Sequence, residues 1–113
     1  MRIDACQREG AIELIPFFKL TIENSEEFEN IFNQKALIQG ERIIAMNFEN
    51  VGFIDSSGMG SLIKILNSCK EKQKELIIHS VSQKVNQIFK LARLERYFNI
   101  MESRDFSFAY PIE

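Results

Sequence analysis

Apolar residues recur along this chain in short blocks that switch repeatedly between strand-like and helical spacing. Residues 2–7 and 11–18 read as two strands around the turn-prone Arg8-Glu9-Gly10. The second, Ala11-Ile12-Glu13-Leu14-Ile15, alternates poorly and meets Pro16, which lacks the N–H that a ladder needs; Pro16 therefore marks an edge or a strand end. A helix is predicted from Asn24, which can cap it. Glu27 holds the capping-box position, and Glu26, Glu27 and Glu29 suit the positive end. Phe28, Ile31 and Phe32 form a stripe at helical spacing, and Gly40 stops the helix.

A strand at about 42–48 follows, then a connector, a helix at about 57–72 and a short buried strand at Leu76-Ile77-Ile78. Ser82 can cap a further helix, in which Val85, Ile88, Phe89 and Ala92 repeat at i, i+3, i+4 and i+7. A last short strand near 99–102 precedes a tail, about 103–113, that reads as peripheral although it holds Phe106, Phe108 and Tyr110. Strands alternating with helices predict an α/β fold: a mixed, mostly parallel sheet of four to five strands, opened by an N-terminal hairpin and carrying about four helices. No repeat or linker interrupts it, so residues 1–113 read as a single domain, long enough for one apolar core without metal or disulfide staples.

The helix at 57–72 carries the most chemistry. At about 100° per residue, Met59, Leu62, Ile63, Leu66 and Cys69 share the side expected to pack on the sheet. Ser57, Ser61, Lys64 and Ser68 are expected to turn outward, with Ile65 on the border. Ile65 beside small serines suits either a flat docking surface or a residue that covers the sheet edge.

Charge and composition remove several function classes. A net charge of −2 gives no bulk drive toward nucleic acid. The two cysteines, Cys6 and Cys69, lie far apart and in no metal-ligand spacing, which suits a reduced, cytoplasmic setting without a metal. No apolar run approaches the ~18 residues of a membrane span, and Met1-Arg2-Ile3-Asp4 does not read as a signal peptide. Lys70, Glu71, Lys72 and Lys74 form a mixed, solvated run. His79, the one histidine, reads as structural or exposed rather than as a general base.

Asp55-Ser56-Ser57-Gly58-Met59-Gly60 then stands out, because it opens a helix with an acid, two hydroxyls and two glycines. Helix N-termini carry unpaired N–H groups and favour negative charge, so a serine there is a place where phosphate can be added and held. Caps and turns account for the same residue types, but one cap would suffice. Nucleotide motifs fail: Gly58 is followed by Met59 and Gly60 by Ser61, where a P-loop needs lysine, and an isolated GxG is half of a dinucleotide fingerprint. A nucleophile elbow fails too, since Ile54 and Asp55 occupy the positions two before Ser56 and Ser57. No catalytic residue and no cofactor is expected.

From Asn47 to Gly60, and again from Ser80-Val81-Ser82-Gln83-Lys84-Val85 through Leu94, the chain resembles the STAS domain, shared by sulfate transporters and bacterial anti-sigma factor antagonists. The first segment is similar to the antagonists' Asp-Ser-Ser/Thr-Gly-Leu-Gly, and the second to Ser-Pro-x-x-Val, with Gln83 where proline is frequent. The resemblance implies a binding module that sequesters an anti-sigma factor. That partner is also an ATP-dependent serine kinase; it releases the module by phosphorylating it, and a phosphatase resets the switch. By position, Ser56 is the implied phosphoacceptor and Asp55 its neighbour, while Ser57, Gly58, Met59 and Gly60 complete the contact loop. Gly58 and Gly60 are expected to let another protein's backbone approach. Ser61, Lys64 and Ile65 join the expected docking face, as does Thr21. The chain departs from the family at Phe18-Lys19-Leu20-Thr21, where Gly-x-Leu/Ile-Asp is common: Phe18 replaces the glycine and Thr21 the acid. That departure motivates a second expectation, a non-switching STAS subunit of a larger assembly such as a transporter ATPase. A third, a small nucleotide-binding regulator, lacks the P-loop lysine.

Overall fold

Alternation of side chains on a central sheet explains the architecture of the computed structural model, which describes residues 1–113. β1 (Ile3–Arg8) and β2 (Ala11–Pro16) form an antiparallel hairpin whose turn uses Gly10 at φ +82°, a conformation that glycine adopts without strain. β2 ends at Pro16, opposite Ile3, two residues short of the strand expected over 11–18. β2 is interior to the sheet, so the proline marks a strand end. β3 (Ile43–Asn47), β4 (Glu75–His79) and β5 (Asn99–Met101) follow in parallel, giving the order β1-β2-β3-β4-β5.

Even-numbered strand residues Leu14, Ile44, Met46, Leu76 and Ile78 face one large apolar core. Three helices cover it: α1 (Ser25–Phe32) through Phe28 and Phe32, α2 (Ser56–Glu71) through Leu62, Ile65, Leu66 and Cys69, and α3 (Gln83–Leu91) through Val85 and Phe89. Burial pushes the Cys69 thiol up to about 11, so it behaves as an apolar side chain. α1 runs into a π-helical turn, Asn33–Leu37, which places Ala36 and Leu37 in the core and ends before Gly40. Asn24 is at the N-cap but makes no side-chain cap. Its Oδ1 accepts from the Thr21 N–H (3.0 Å) and its Nδ2 donates to the Lys19 carbonyl (2.7 Å), so it ties the preceding loop instead. α2 and α3 both end in Schellman turns without glycine, at Gln73 (φ +58°) and Arg93 (φ +56°).

The second face of the sheet corrects the expectation of a peripheral tail. Ala45 and Ile77 point there and are covered by Phe106 of α4 (Ser103–Ala109), with Ile43, Met101 and Tyr110 around them. Under α4 lies a buried polar cluster. His79 Nε2 meets Glu13 Oε2 at 2.6 Å, Arg8 Nε donates to Glu13 Oε1 at 2.9 Å, and the His79 ring stacks on Phe106 at 3.9 Å. Burial alone would raise the Glu13 pKa, but hydrogen bonds from His79 and Arg8 outweigh it and hold the carboxyl below its ordinary range. Arg8 also donates to the Tyr110 carbonyl (3.2 Å), and Glu9 N–H to that of Pro111 (2.9 Å), so the C-terminal segment is tied to β1.

Phe106 is fully buried whereas Phe108, on the same helix, is 89% exposed. Phe106→Ala is therefore expected to cost about 3–5 kcal/mol, and Phe108→Ala less than about 0.5 kcal/mol, in urea unfolding. Equal costs would show that α4 does not cover the sheet.

Candidate functional site

Two loops meet where α2 begins. The connector after β3 is anchored by buried Phe48, Val51 and Ile54. The loop after β2 crosses it as a one-residue parallel bridge, Leu20 to Ile54: Leu20 N–H donates to the Phe53 carbonyl (3.0 Å) and Asp55 N–H to the Leu20 carbonyl (3.1 Å). Asp55 then caps α2. Its Oδ1 accepts from Gly58 N–H (2.9 Å) and its Oδ2 from Ile22 N–H (3.0 Å), so a single carboxylate fastens the helix start to the neighbouring loop. The Gly58 N–H, aided by that of Ile22, holds the Asp55 carboxyl below the ordinary carboxylate range.

Gly58 has an internal reason. A Cβ there would lie 2.3 Å from the Leu20 carbonyl oxygen, so its freedom admits this chain's own loop. That corrects the expectation that Gly58 opens a path for another protein's backbone. Gly60 meets nothing within 4 Å and lies open on the surface.

Ser56 is the first residue of α2. It is exposed, and its hydroxyl makes no hydrogen bond within the protein. Beside it Ser57, Gly60 and Lys64 line a polar groove of about 670 Å³, closed on its far side by Ser25, Glu26 and Glu29 of α1. On its other side a shallower hollow is lined by Phe18, Thr21, Ile22, Phe53 and Asp55. Phe18 packs edge-on to Phe28 at 5.8 Å, so the bulky replacement at this position plugs the end of the core and also walls the hollow. Thr21 Oγ1 accepts from Glu23 N–H (3.3 Å) as part of the loop's own turn. Ile22, 75% exposed, and Phe53, under the Lys84 ammonium at 5.3 Å, are surface residues that sequence reasoning missed. The one sequence signal for Ile22 is its apolar character between Thr21 and Glu23.

Three expectations about α2 need correction. Ser61 is only 3% exposed: its one hydroxyl proton is shared between Glu29 Oε2 (2.5 Å) and the Ser25 carbonyl (3.2 Å), which joins α2 to α1. Ile65 lies in the core, and so does Met59 of the expected contact loop, whereas Ile63 is 37% exposed. The buried positions are Gly58, Ser61, Leu62, Ile65, Leu66 and Cys69, spaced i, i+3, i+4, i+7, i+8 and i+11, with Met59 added beside Gly58 in the first turn. Apolar spacing alone rotates this face, because two of its members are glycine and serine. Of the residues expected to dock, Ser56 and Lys64 are exposed, and Thr21, Asp55, Ser57 and Gly60 are partly so.

Comparison with known proteins accords with this architecture. The STAS domain model matches residues 2–106. The chain belongs to the STAS domain family. The anti-sigma-B factor antagonist of Staphylococcus aureus is 32% identical over 66 residues, which are 58% of this chain and 61% of that protein, so the match spans less than two thirds of the relative's length. Among solved structures, a candidate anti-sigma factor antagonist from Thermotoga maritima superposes with a TM-score of 0.85 at 23% identity, covering 95% of this STAS domain and 92% of that chain. The Bacillus cell fate determinant SpoIIAA, solved in its phosphorylated form, does so with a TM-score of 0.65 at 20% identity, covering 90% and 91%. At these identities the structural likeness establishes the fold.

The two glycines separate internal from external roles. Gly58→Ala is expected to lower stability by at least about 2 kcal/mol, because backbone must shift. Gly60→Ala, with open space and a helical conformation, is expected to raise it by about 0.5–1 kcal/mol. Thermal unfolding of the pair reads this directly. Asp55 gives a pH signature. Its depressed pKa means that its contribution is fully present above the ordinary value of 3.8 and is lost as pH falls through the lower folded value. Asp55→Asn should therefore be less stable than the parent at pH 7, with the gap closing at strongly acid pH. A pH-independent gap would remove the ionised cap.

Proposed function

We infer that this STAS domain is an anti-sigma factor antagonist: a cytoplasmic binding module with no catalysis of its own, switched by phosphorylation of Ser56. The observation that carries the reading is the exposed Ser56 hydroxyl, free of intramolecular bonds, at the first position of a 16-residue helix. The partner is an anti-sigma factor with serine kinase activity. The γ-phosphoryl group of ATP passes to Ser56 Oγ, ADP leaves, and the hydroxyl proton goes to a base of the kinase. A phosphatase hydrolyses the ester and resets the module.

The geometry supports a switch in which one phosphate changes binding without unfolding the domain. It adds about −1.5 to −2 charges at neutral pH, at the positive end of a helix dipole that favours anions. Fixed beside it is the Asp55 carboxylate, which is held in place by Gly58 and Ile22. Against a docked partner the two negative groups are desolvated together. A shift of ~3 kcal/mol already changes affinity more than 100-fold. Ser57, Gly60, Lys64 and Thr21 form the reachable surface around the switch.

Incubation with the cognate kinase and ATP, followed by phosphosite mapping, should place the label on Ser56 and lose it in Ser56→Ala. Ser56→Glu should bind the anti-sigma factor at least about tenfold more weakly than the parent. Label on another residue, or a Ser56→Glu variant that binds as tightly as the parent, would falsify the switch. Such indifference, together with co-purification of transporter components, would instead fit a non-switching subunit of a transporter assembly.

A further inference from the structure

A second surface lies toward the other end of α2. Ile63, Leu66, Leu94 and Tyr97 line a groove of about 480 Å³ between α2 and the turn after α3, with Lys70 and Arg93 on its walls. Tyr97 is 63% exposed, so its ring is presented to solvent. Arg93 and Tyr97 continue into an adjoining hollow that adds Lys90 and Arg96. Glu95 is the one acid among the residues lining either depression. The three ion pairs of the protein lie elsewhere, at Arg2–Asp4, Arg8–Glu13 and His79–Glu13, so these four cations are uncommitted.

Arg93 adds a backbone observation. It occupies the left-handed position of the turn that closes α3, with φ +56°, Arg93 N–H donating to the Lys90 carbonyl (3.0 Å) and Leu94 N–H to that of Phe89 (2.9 Å). Glycine is the residue best suited to that position. An arginine there trades backbone ease for a cation at the groove.

We propose that this groove is a docking site for an acidic segment of a partner protein, which seats one large apolar side chain on the Ile63–Leu66–Tyr97 floor and sets carboxylates against Lys70 and Arg93. Charge complementarity selects the occupant. A second copy of this chain in a two-fold contact would bring the same cations together, and the domain as a whole is negative (net −2), so the groove is a local positive island on an acidic protein. Nucleic acid fits less well, since the net charge of −2 gives no bulk drive toward a polyanion.

The site is separate from the Ser56 switch. At about 1.5 Å rise per residue, Lys70 lies about 21 Å along α2 from Ser56, twice the screening length of about 10 Å at 0.1 M salt. A partner held here stays bound whichever way Ser56 stands.

The experiment selects binders from a displayed random dodecapeptide library against the full chain, then titrates the enriched peptides by fluorescence anisotropy and maps them by amide chemical shifts. Acidic peptides with a central Leu, Phe or Trp should be enriched. Their shifts should centre on Ile63, Leu66, Leu94 and Tyr97, and their affinity should fall with added salt. The double variant Lys70→Glu, Arg93→Glu should weaken them about tenfold or more, and Ser56→Glu should change affinity less than about twofold. Arg93→Gly separates charge from folding: it should raise the unfolding midpoint while weakening the peptides. Enrichment of non-acidic peptides or none, shifts centred on the Ser56 loop, or full affinity in the charge-reversed variant would overturn the proposal. So would tighter binding of a dT12 oligonucleotide, or self-association through the groove without peptide.

Discussion

The Leu20 carbonyl pressed against Gly58 is the contact on which the candidate site depends. The loop after β2 and the start of α2 come from distant parts of the chain. Only a residue without a Cβ lets them approach to the distance at which Asp55 N–H reaches Leu20 and the Asp55 carboxylate reaches Ile22. That carboxylate, accepting from Gly58 of α2 and from Ile22 of the neighbouring loop, fixes the first turn of α2 and thereby the direction in which Ser56 projects. The serine can stay free of intramolecular bonds because its neighbour does the capping.

Close packing on one side leaves a narrow outer face on the other. α2 is buried against the sheet and against α1, where Ser61 bridges to Ser25 and Glu29. Around Ser56 its solvent side is therefore made of small or charged residues such as Ser57, Gly60 and Lys64, and Ile63 is the exposed apolar residue farther along. A surface of that kind loses little side-chain entropy when a partner docks, which suits the proposed phosphate switch. The apolar residues at the two ends of the exposed strip, Ile22 and Phe53 near Ser56 and Ile63 and Tyr97 near Lys70, are the ones available to give a partner contact area.

The opposite face of the sheet is organised by a different interaction. Glu13 and His79 point away from the main core, and α4 seals them with Phe106 stacked on the imidazole. Buried charged groups of this sort are costly when a partner is lost and contribute little net stability when all are satisfied. Their effect here is geometric: Arg8 holds both Glu13 and the Tyr110 carbonyl, so the C-terminal segment has one place to dock.

The sequence by itself determined the order of strands and helices, the hairpin, the parallel sheet and the position of Ser56 at a helix start. Each is written in local periodicity, caps and turns, and those depend on neighbours within a few residues. Tertiary structure alone decided that Gly58 serves an internal contact, that Ser61 and Ile65 face inward while Ile63 faces out, and that Asn24 ties a loop rather than capping α1. It also decided that the tail around Phe106 covers a sheet face, and that Arg8, Glu13 and His79 meet. Those outcomes depend on which surface lies opposite a residue in space. Small residues such as glycine and serine are buried because a neighbouring backbone comes close, and a charged residue is buried because its partner arrives from 66 positions away. Neither condition leaves a mark in the local pattern of the chain.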